Sequence, residues 1–206
     1  MKRSYIIIGI VLVVVFIIYR FFAGTYNTIV GMNEPINGAW AKVETAYQSR
    51  ADKTKVLIEI VKGAANFEKS TLEAVIQARA SATSVKIDPS NLTPEKVAEF
   101  QKAQDGLSSS LSRLLVVAEQ YPQLKATQNF SDFQAQYEGM ENRIAVARND
   151  FNDVVQNYNT YIRKFPSNLL AGMYGFQTKG YFQAKAGAEE APDASSLNEN
   201  KWFILK

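Results

Sequence analysis

The chain has 206 residues with neither cysteine nor histidine, and a net charge of +3. The missing types exclude disulfides, thiolate or imidazole metal sites, and the commonest general base. Lys2, Arg3 and Arg20 account for the whole excess charge, and the remainder, with as many basic as acidic side chains, argues against a nucleic-acid partner.

Residues 1–24 predict a membrane anchor. Lys2 and Arg3 form a cationic start, and Tyr5 to Tyr19 carry no charge and are dominated by Ile and Val. That run is short for a span of about 20 residues. Arg20 can snorkel, however, and Tyr5, Tyr19, Phe21 and Phe22 suit the two interfaces, so residues 4–24 suffice to cross. A cleaved signal peptide and a buried core helix are the alternatives. The first needs small residues at the cleavage site, where Arg20, Phe21 and Phe22 crowd the chain. Positive charge before the span exceeds that after it, which predicts a cell-membrane, single-pass protein with a cytoplasmic N-terminus and an extracytoplasmic bundle.

Residues 25–35 read as a juxtamembrane neck, with apolar Tyr26, Ile29 and Val30 close to the bilayer and Gly24 and Gly31 small enough for neighbouring backbones to approach. The alternative is a plain continuation of the membrane helix. Residues 36–176 predict a helical bundle. From Ile36 to about Ser84 a helical seam runs through Trp40, Val43, Tyr47, Thr54, Leu57, Val61, Val75 and Ala82, interrupted by Arg50, Glu68 and Thr71. A continuous helix would be about 73 Å long. It therefore bends near Gly63 or stands clear of the bundle. Thr93, Pro94 and Glu95 form a helix start. The helix that follows has the seam Val97, Phe100, Gln104, Leu107, Leu111, Leu114, Ala118 and Tyr121, and Pro122 ends it.

The longest periodic stretch is 131–166. Phe133, Tyr137, Met140, Ile144, Ala147, Phe151, Val154, Tyr158, Tyr161 and Phe165 alternate steps of four and three, a 3.5-residue repeat that buries one seam against other helices. Ser131 with Gln134 reads as a capping box, Arg163 and Lys164 suit the last turn, and Pro166 stops the helix. The short link before it makes it an antiparallel neighbour of the preceding helix. Ser167 can cap a short apolar helix over 168–176. The predicted fold is thus all-α: one transmembrane helix, then an antiparallel bundle of three long helices and a short C-terminal one. Residues 177–206 read as a largely disordered tail, ending in the apolar segment Trp202 to Lys206.

Several segments together resemble the LemA family. They are Tyr26-Asn27-Thr28-Ile29-Val30, Ala39-Trp40, Val61-Lys62-Gly63, Leu72-Glu73-Ala74-Val75 and Ala78-Arg79-Ala80. The densest are Tyr121-Pro122-Gln123-Leu124-Lys125-Ala126, the run from Glu141 to Arg148, Tyr158-Asn159 and Phe165-Pro166-Ser167-Asn168. One departure stands out. Where the family usually has an Arg-rich stretch and then Asp-Leu-Ile-Pro-Asn-Leu-Val, this chain has Ser49 to Ile58 with Lys53 and Lys55 and no proline. The resemblance implies a single N-terminal anchor, a helical soluble part and no catalytic activity to carry over. Through relatives in magnetic bacteria, it also implies a role in membrane organisation.

No catalytic, cofactor-binding or metal site is expected. Glu138 and Glu141 share one helix face and could hold a hard cation, but such pairs are commonly solvated surface. Ser108 to Ser110 near Lys102 could form a Ser-Lys dyad, yet nothing supplies an oxyanion hole. No phosphate-cradling Gly-rich loop is present. The remaining signal is Asn142, Asn149, Asn152, Asn157 and Asn159 with Arg143, Arg148, Asp150 and Asp153. Asparagine is a poor helix former. The group either bonds polar groups between helices or forms a docking face. The expected partners are the lipid bilayer and a protein, either the chain itself as a homo-oligomer or another protein, with no nucleic acid and no evident small-molecule substrate. Two functions fit: a self-associating membrane scaffold, and an adaptor that holds a membrane protease or envelope protein through the Asn/Arg face.

Overall fold

The computed structural model describes residues 2–184. Among them every regular element is a helix: α1 Lys2–Gly31, α2 Asn33–Lys62, α3 Lys69–Ser84, α4 Pro94–Ala118, α5 Pro122–Lys125, α6 Gln128–Arg163 and α7 Ser167–Met173, with one 3₁₀ turn at Pro89–Asn91. The fold is all-α, as the periodicity predicts.

α1 and α2 form nearly one rod, interrupted only at Met32, whose amide still bonds back to Thr28 and Ile29 carbonyls. Pro35 explains the interruption: it lacks the N–H that would bond Gly31, and its ring crowds that carbonyl. The neck residues therefore continue the helix. Ile29 is fully buried in the core, while Tyr26 and Val30 stay partly exposed.

The long helix expected over 36–84 is divided in two. α2 ends at Lys62, and the chain folds straight back as α3, so that the Arg79 guanidinium bonds the Ala51 carbonyl at 2.8 Å. The bundle thus has four helices where the sequence suggests three. The turn residue is Asn66, with φ of 62°, a left-handed conformation that Asn tolerates better than most residues. Gly63 keeps helical dihedrals. α2 and α4 run away from α1, and α3 and α6 return.

α6 is the spine, and it starts earlier than predicted. Thr127 caps it by accepting from the Phe130 amide, so Ser131 and Gln134 are ordinary helical positions. The seam also drifts. Phe133, Met140, Ile144, Ala147, Phe151 and Tyr158 are buried, but Val155 and Ile162 take the places expected of Val154 and Tyr161, and Phe165 is 80% exposed. A straight helix drifts about 20° per heptad from a strict 3.5 repeat, so over the three heptads from Phe133 to Val154 the expected seam falls about 60° away from the core and the next residue lies closer to it.

Two core clusters result. One, near α1, joins Ile29, Trp40, Phe100, Phe151 and Tyr158; the other, far from α1, joins Leu57, Val61, Val75, Leu111 and Phe130.

Candidate functional site

Between the two clusters lies a polar layer built on Arg50, the side chain that interrupts the apolar seam of α2. It is 1% exposed. Its guanidinium donates to Ser108 Oγ, to Gln104 Oε1 at 2.7 Å, to the Gln104 carbonyl at 2.9 Å and to Glu141 Oε1 at 3.1 Å, and it lies over the Tyr47 ring. Gln104 in turn donates to the Ala82 carbonyl at 3.0 Å. One arginine therefore ties α2, α3, α4 and α6 at a single level. A buried charge needs this many partners because its desolvation is otherwise unrecovered. Burial also raises the Tyr47 hydroxyl pKa, against the opposing pull of Arg148 and Arg50.

This layer absorbs two candidate groups. Glu141 pairs with Arg50, while Glu138 is exposed. Ser108 is buried against Arg50, and the Ser109 and Ser110 hydroxyls donate to carbonyls one turn back, so neither is aligned with a base. Among the described residues no three acidic side chains converge as a cation site.

The asparagine face divides as well. Asn159 is 2% exposed and grips the backbone of Lys179 from both sides, donating to its carbonyl and accepting from its amide at 2.9 Å each. Asn152 holds Phe182 in the same way at 2.9 Å each, and Gln101 of α4 holds Gln183 at 2.8 and 2.9 Å. Three primary amides thus act as short ladder partners for an extended strap over 177–184. The spacing fits: seven helical residues rise about 10.5 Å and three extended residues cover about 10 Å. Arg148 adds a bond to the Gln183 carbonyl at 2.7 Å and stacks over Phe182. Phe182 fills the aromatic core against Trp40, Phe100 and Phe151. Gly180 lets the strap touch α4, since a Cβ there would lie 2.7 Å from Pro94 Cα.

The internal reading of the asparagines holds for Asn152 and Asn159. Asn142, Asn149 and Asn157 remain exposed with Arg143, Asp150 and Asp153. The tail boundary at residue 177 falls inside packed structure, because residues 177–184 have no periodicity to betray them and are held by side chains elsewhere. The segment Trp202 to Lys206 lies outside the described residues. Sequence reasoning missed Gln101 and Phe182. The available signal was the pair of asparagines seven apart on a helix face.

The arrangement positions and clamps; it presents no nucleophile beside a base. The LemA family profile matches residues 39–195. The Protein LemA of Metamycoplasma hominis is 23% identical over 88% of this chain and 79% of its own length. Magnetosome protein MamQ 2 of Paramagnetospirillum magneticum is 37% identical over 42% of this chain, and MamQ of Magnetospirillum gryphiswaldense is 33% identical over a stretch of the same length. The match to these MamQ proteins spans 32% of their own length. With the profile covering most of the bundle and the strap, the chain belongs to the LemA family.

Proposed function

We propose that this protein is a non-enzymatic, single-pass membrane-anchored bundle that self-associates as a scaffold or membrane-organising protein. The observation that carries the anchor is α1. Its apolar side chains from Tyr5 to Tyr19 are about half or more exposed, and none packs on the bundle, although the segment is long and apolar enough to cross a bilayer. So much unpartnered apolar surface is untenable in water. Organising rather than catalysing follows from how the polar side chains are used: Arg50, Asn152, Asn159 and Gln101 all serve to hold the fold. The names of the magnetosome relatives agree with a role at a membrane. Alkaline carbonate washing tests the anchor: the chain stays with the pellet and leaves only with detergent. Release by carbonate alone overturns it.

Self-association is tested by light scattering in detergent, where a defined oligomer is expected and a clean monomer defeats the scaffold. The second reading, an adaptor for a membrane partner, rests on the exposed Asn142, Arg143, Asn149 and Asn157. Cross-linking in native membranes separates the two by showing self or other. The excess of Lys2 and Arg3 over Arg20 favours a cytoplasmic N-terminus with the bundle outside the cytoplasm. A reporter active only there, fused after Ala184 so that the strap stays intact, is expected to work.

A further inference from the structure

The end of the bundle next to α1 carries an apolar face that the described residues leave uncovered. Leu169 and Met173, 58% and 71% exposed and four residues apart, share one side of α7, and Phe165, 80% exposed, lies just before that helix in the link from α6. The opposite side, Leu170 and Ala171, is buried. From Phe165 to Thr178 the sequence contains no charged residue, whereas Arg163, Lys164 and Lys179 flank the run.

The position of this face along α1 decides what covers it. Tyr174 and Phe176 pack on Tyr26 with ring centroids 5.0 and 5.8 Å apart, and Thr25 is already buried. The antiparallel pairs Lys42 with Asp150 and Arg50 with Glu141 bring Phe165 roughly level with Tyr26 when carried down the two helices. Tyr26 lies four residues beyond Phe22, or about 6 Å. The headgroup zone on each side of the hydrocarbon is about 5–7 Å deep. α7 therefore sits at headgroup depth. Tyr26 and Tyr174 are of the type that favours that zone, and Arg163 and Lys164 match anionic headgroups.

We propose that α7 is a second membrane contact: a short interfacial helix that seats the bundle on the lipid surface through Phe165, Leu169 and Met173. The anchor then fixes the bundle at the bilayer, and α7 fixes its tilt and rotation. The inference rests on the anchored reading and is tested so that the two can fail separately.

The chain has no cysteine, so single-cysteine variants of the full protein carry an environment-sensitive dye without background. Leu169→Cys and Met173→Cys report on α7, Leu12→Cys on the span, and Val116→Cys on an exposed site at the far end of α4. Each labelled protein is reconstituted into vesicles of phosphatidylcholine and phosphatidylglycerol, with and without spin-labelled lipid. Lipid quenching several-fold stronger at 12, 169 and 173 than at 116 is the expected result. Quenching at 12 alone overturns the seating and leaves the anchor standing. Quenching at neither overturns both, and quenching at α7 without 12 overturns the anchored reading and the seating that depends on it. Dye at 169 and 173 that is shielded from water but untouched by quenching lipid assigns the face to a protein contact, and the lipid proposal falls.

Discussion

On the α1 side of the Arg50 layer, the core is centred on rings: Trp40, Phe100, Phe151 and Phe182 stand within 5.2–6.4 Å of one another where they pair, with aliphatic side chains such as Ile29, Ile36 and Val97 around them. On the other side branched chains dominate, with Leu57, Val61, Leu107, Leu111 and Leu114 fully buried beside the rings of Phe130 and Phe133. The ring core is assembled from segments far apart in sequence, α2, α4, α6 and a strap that arrives last. The aliphatic core is closed by local turns, α2 into α3 and α4 into α6. Its cohesion follows from helix periodicity. The ring core needs a residue, Phe182, that no periodicity predicts.

The largest expected effect breaks the ring core at its centre. Phe151 is fully buried between Trp40 and Phe182. Phe151→Ala should cost about 3–5 kcal/mol by thermal melting of the full chain in detergent. Gln156→Ala, on the exposed side of the same helix, should stay within about 0.5 kcal/mol. Equal losses would mean that the buried face is misplaced.

The layer between the halves comes next. Arg50→Met removes the charge that Glu141, Gln104 and Ser108 share. Loss of one partner of a buried pair costs about 3–5 kcal/mol, and water reaching the partly exposed Glu141 lowers this to about 2–4 kcal/mol. The measurement is again melting, and a change below about 1 kcal/mol would show that the layer is decoration.

Asn159→Ala sharpens the contrast further, because it acts on the strap alone. Two buried backbone groups of Lys179 lose their partner, at about 1–3 kcal/mol. Hydrogen exchange should rise at the Lys179 and Phe182 amides and remain unchanged in α3. Exchange that rises equally in both halves would refute a separately held strap.

These residues also mark how far sequence reading reaches. The helices were legible because their apolar positions recur at 3.5 to 3.6 residues, and the α4 start at Thr93 and Pro94 was legible from cap chemistry. Arg50 was visible only as a seam violation: a pattern records that a charge falls on a buried face, whereas its partners Gln104 and Glu141 lie on other helices. The strap was invisible for a related reason. Its backbone bonds go to side chains, and a side-chain amide leaves no periodic trace in the segment it holds.

The ring core also predicts a pH response. Burial raises the Tyr47 pKa, and the same cause raises that of Tyr158 in the same core and that of Tyr137 against the aliphatic one. The folded form thus holds these protons more tightly than the unfolded chain. Their contribution is complete below the ordinary tyrosine value of 10.0 and is lost as pH climbs from there towards the folded value. Lys179, whose pKa burial lowers, works the other way, gaining stability as pH rises from its folded value to the ordinary lysine value. Tyr47→Phe should flatten the alkaline loss in melting temperature, and an unchanged slope would exclude Tyr47 as its source.

The smallest effect belongs to the far half and tests whether its hairpin depends on one residue. The helix break after Lys62 invites blame on Gly63, but Gly63 has φ of −73° and ψ of −14°, ordinary helical values open to any L-residue. A Cβ there would come no closer than 3.4 Å to the Ile60 carbonyl oxygen, which is normal contact. Asn66, at φ of 62°, is the residue that turns the chain. A left-handed conformation costs an alanine about 1 kcal/mol more than it costs a residue that tolerates it. Asn66→Ala should therefore destabilise by about 1 kcal/mol, Asn66→Gly should be neutral or better, and Gly63→Ala should lose nothing. If Gly63→Ala proves the more damaging of the two alanine changes, the α2–α3 corner is set by the helix end and not by the turn.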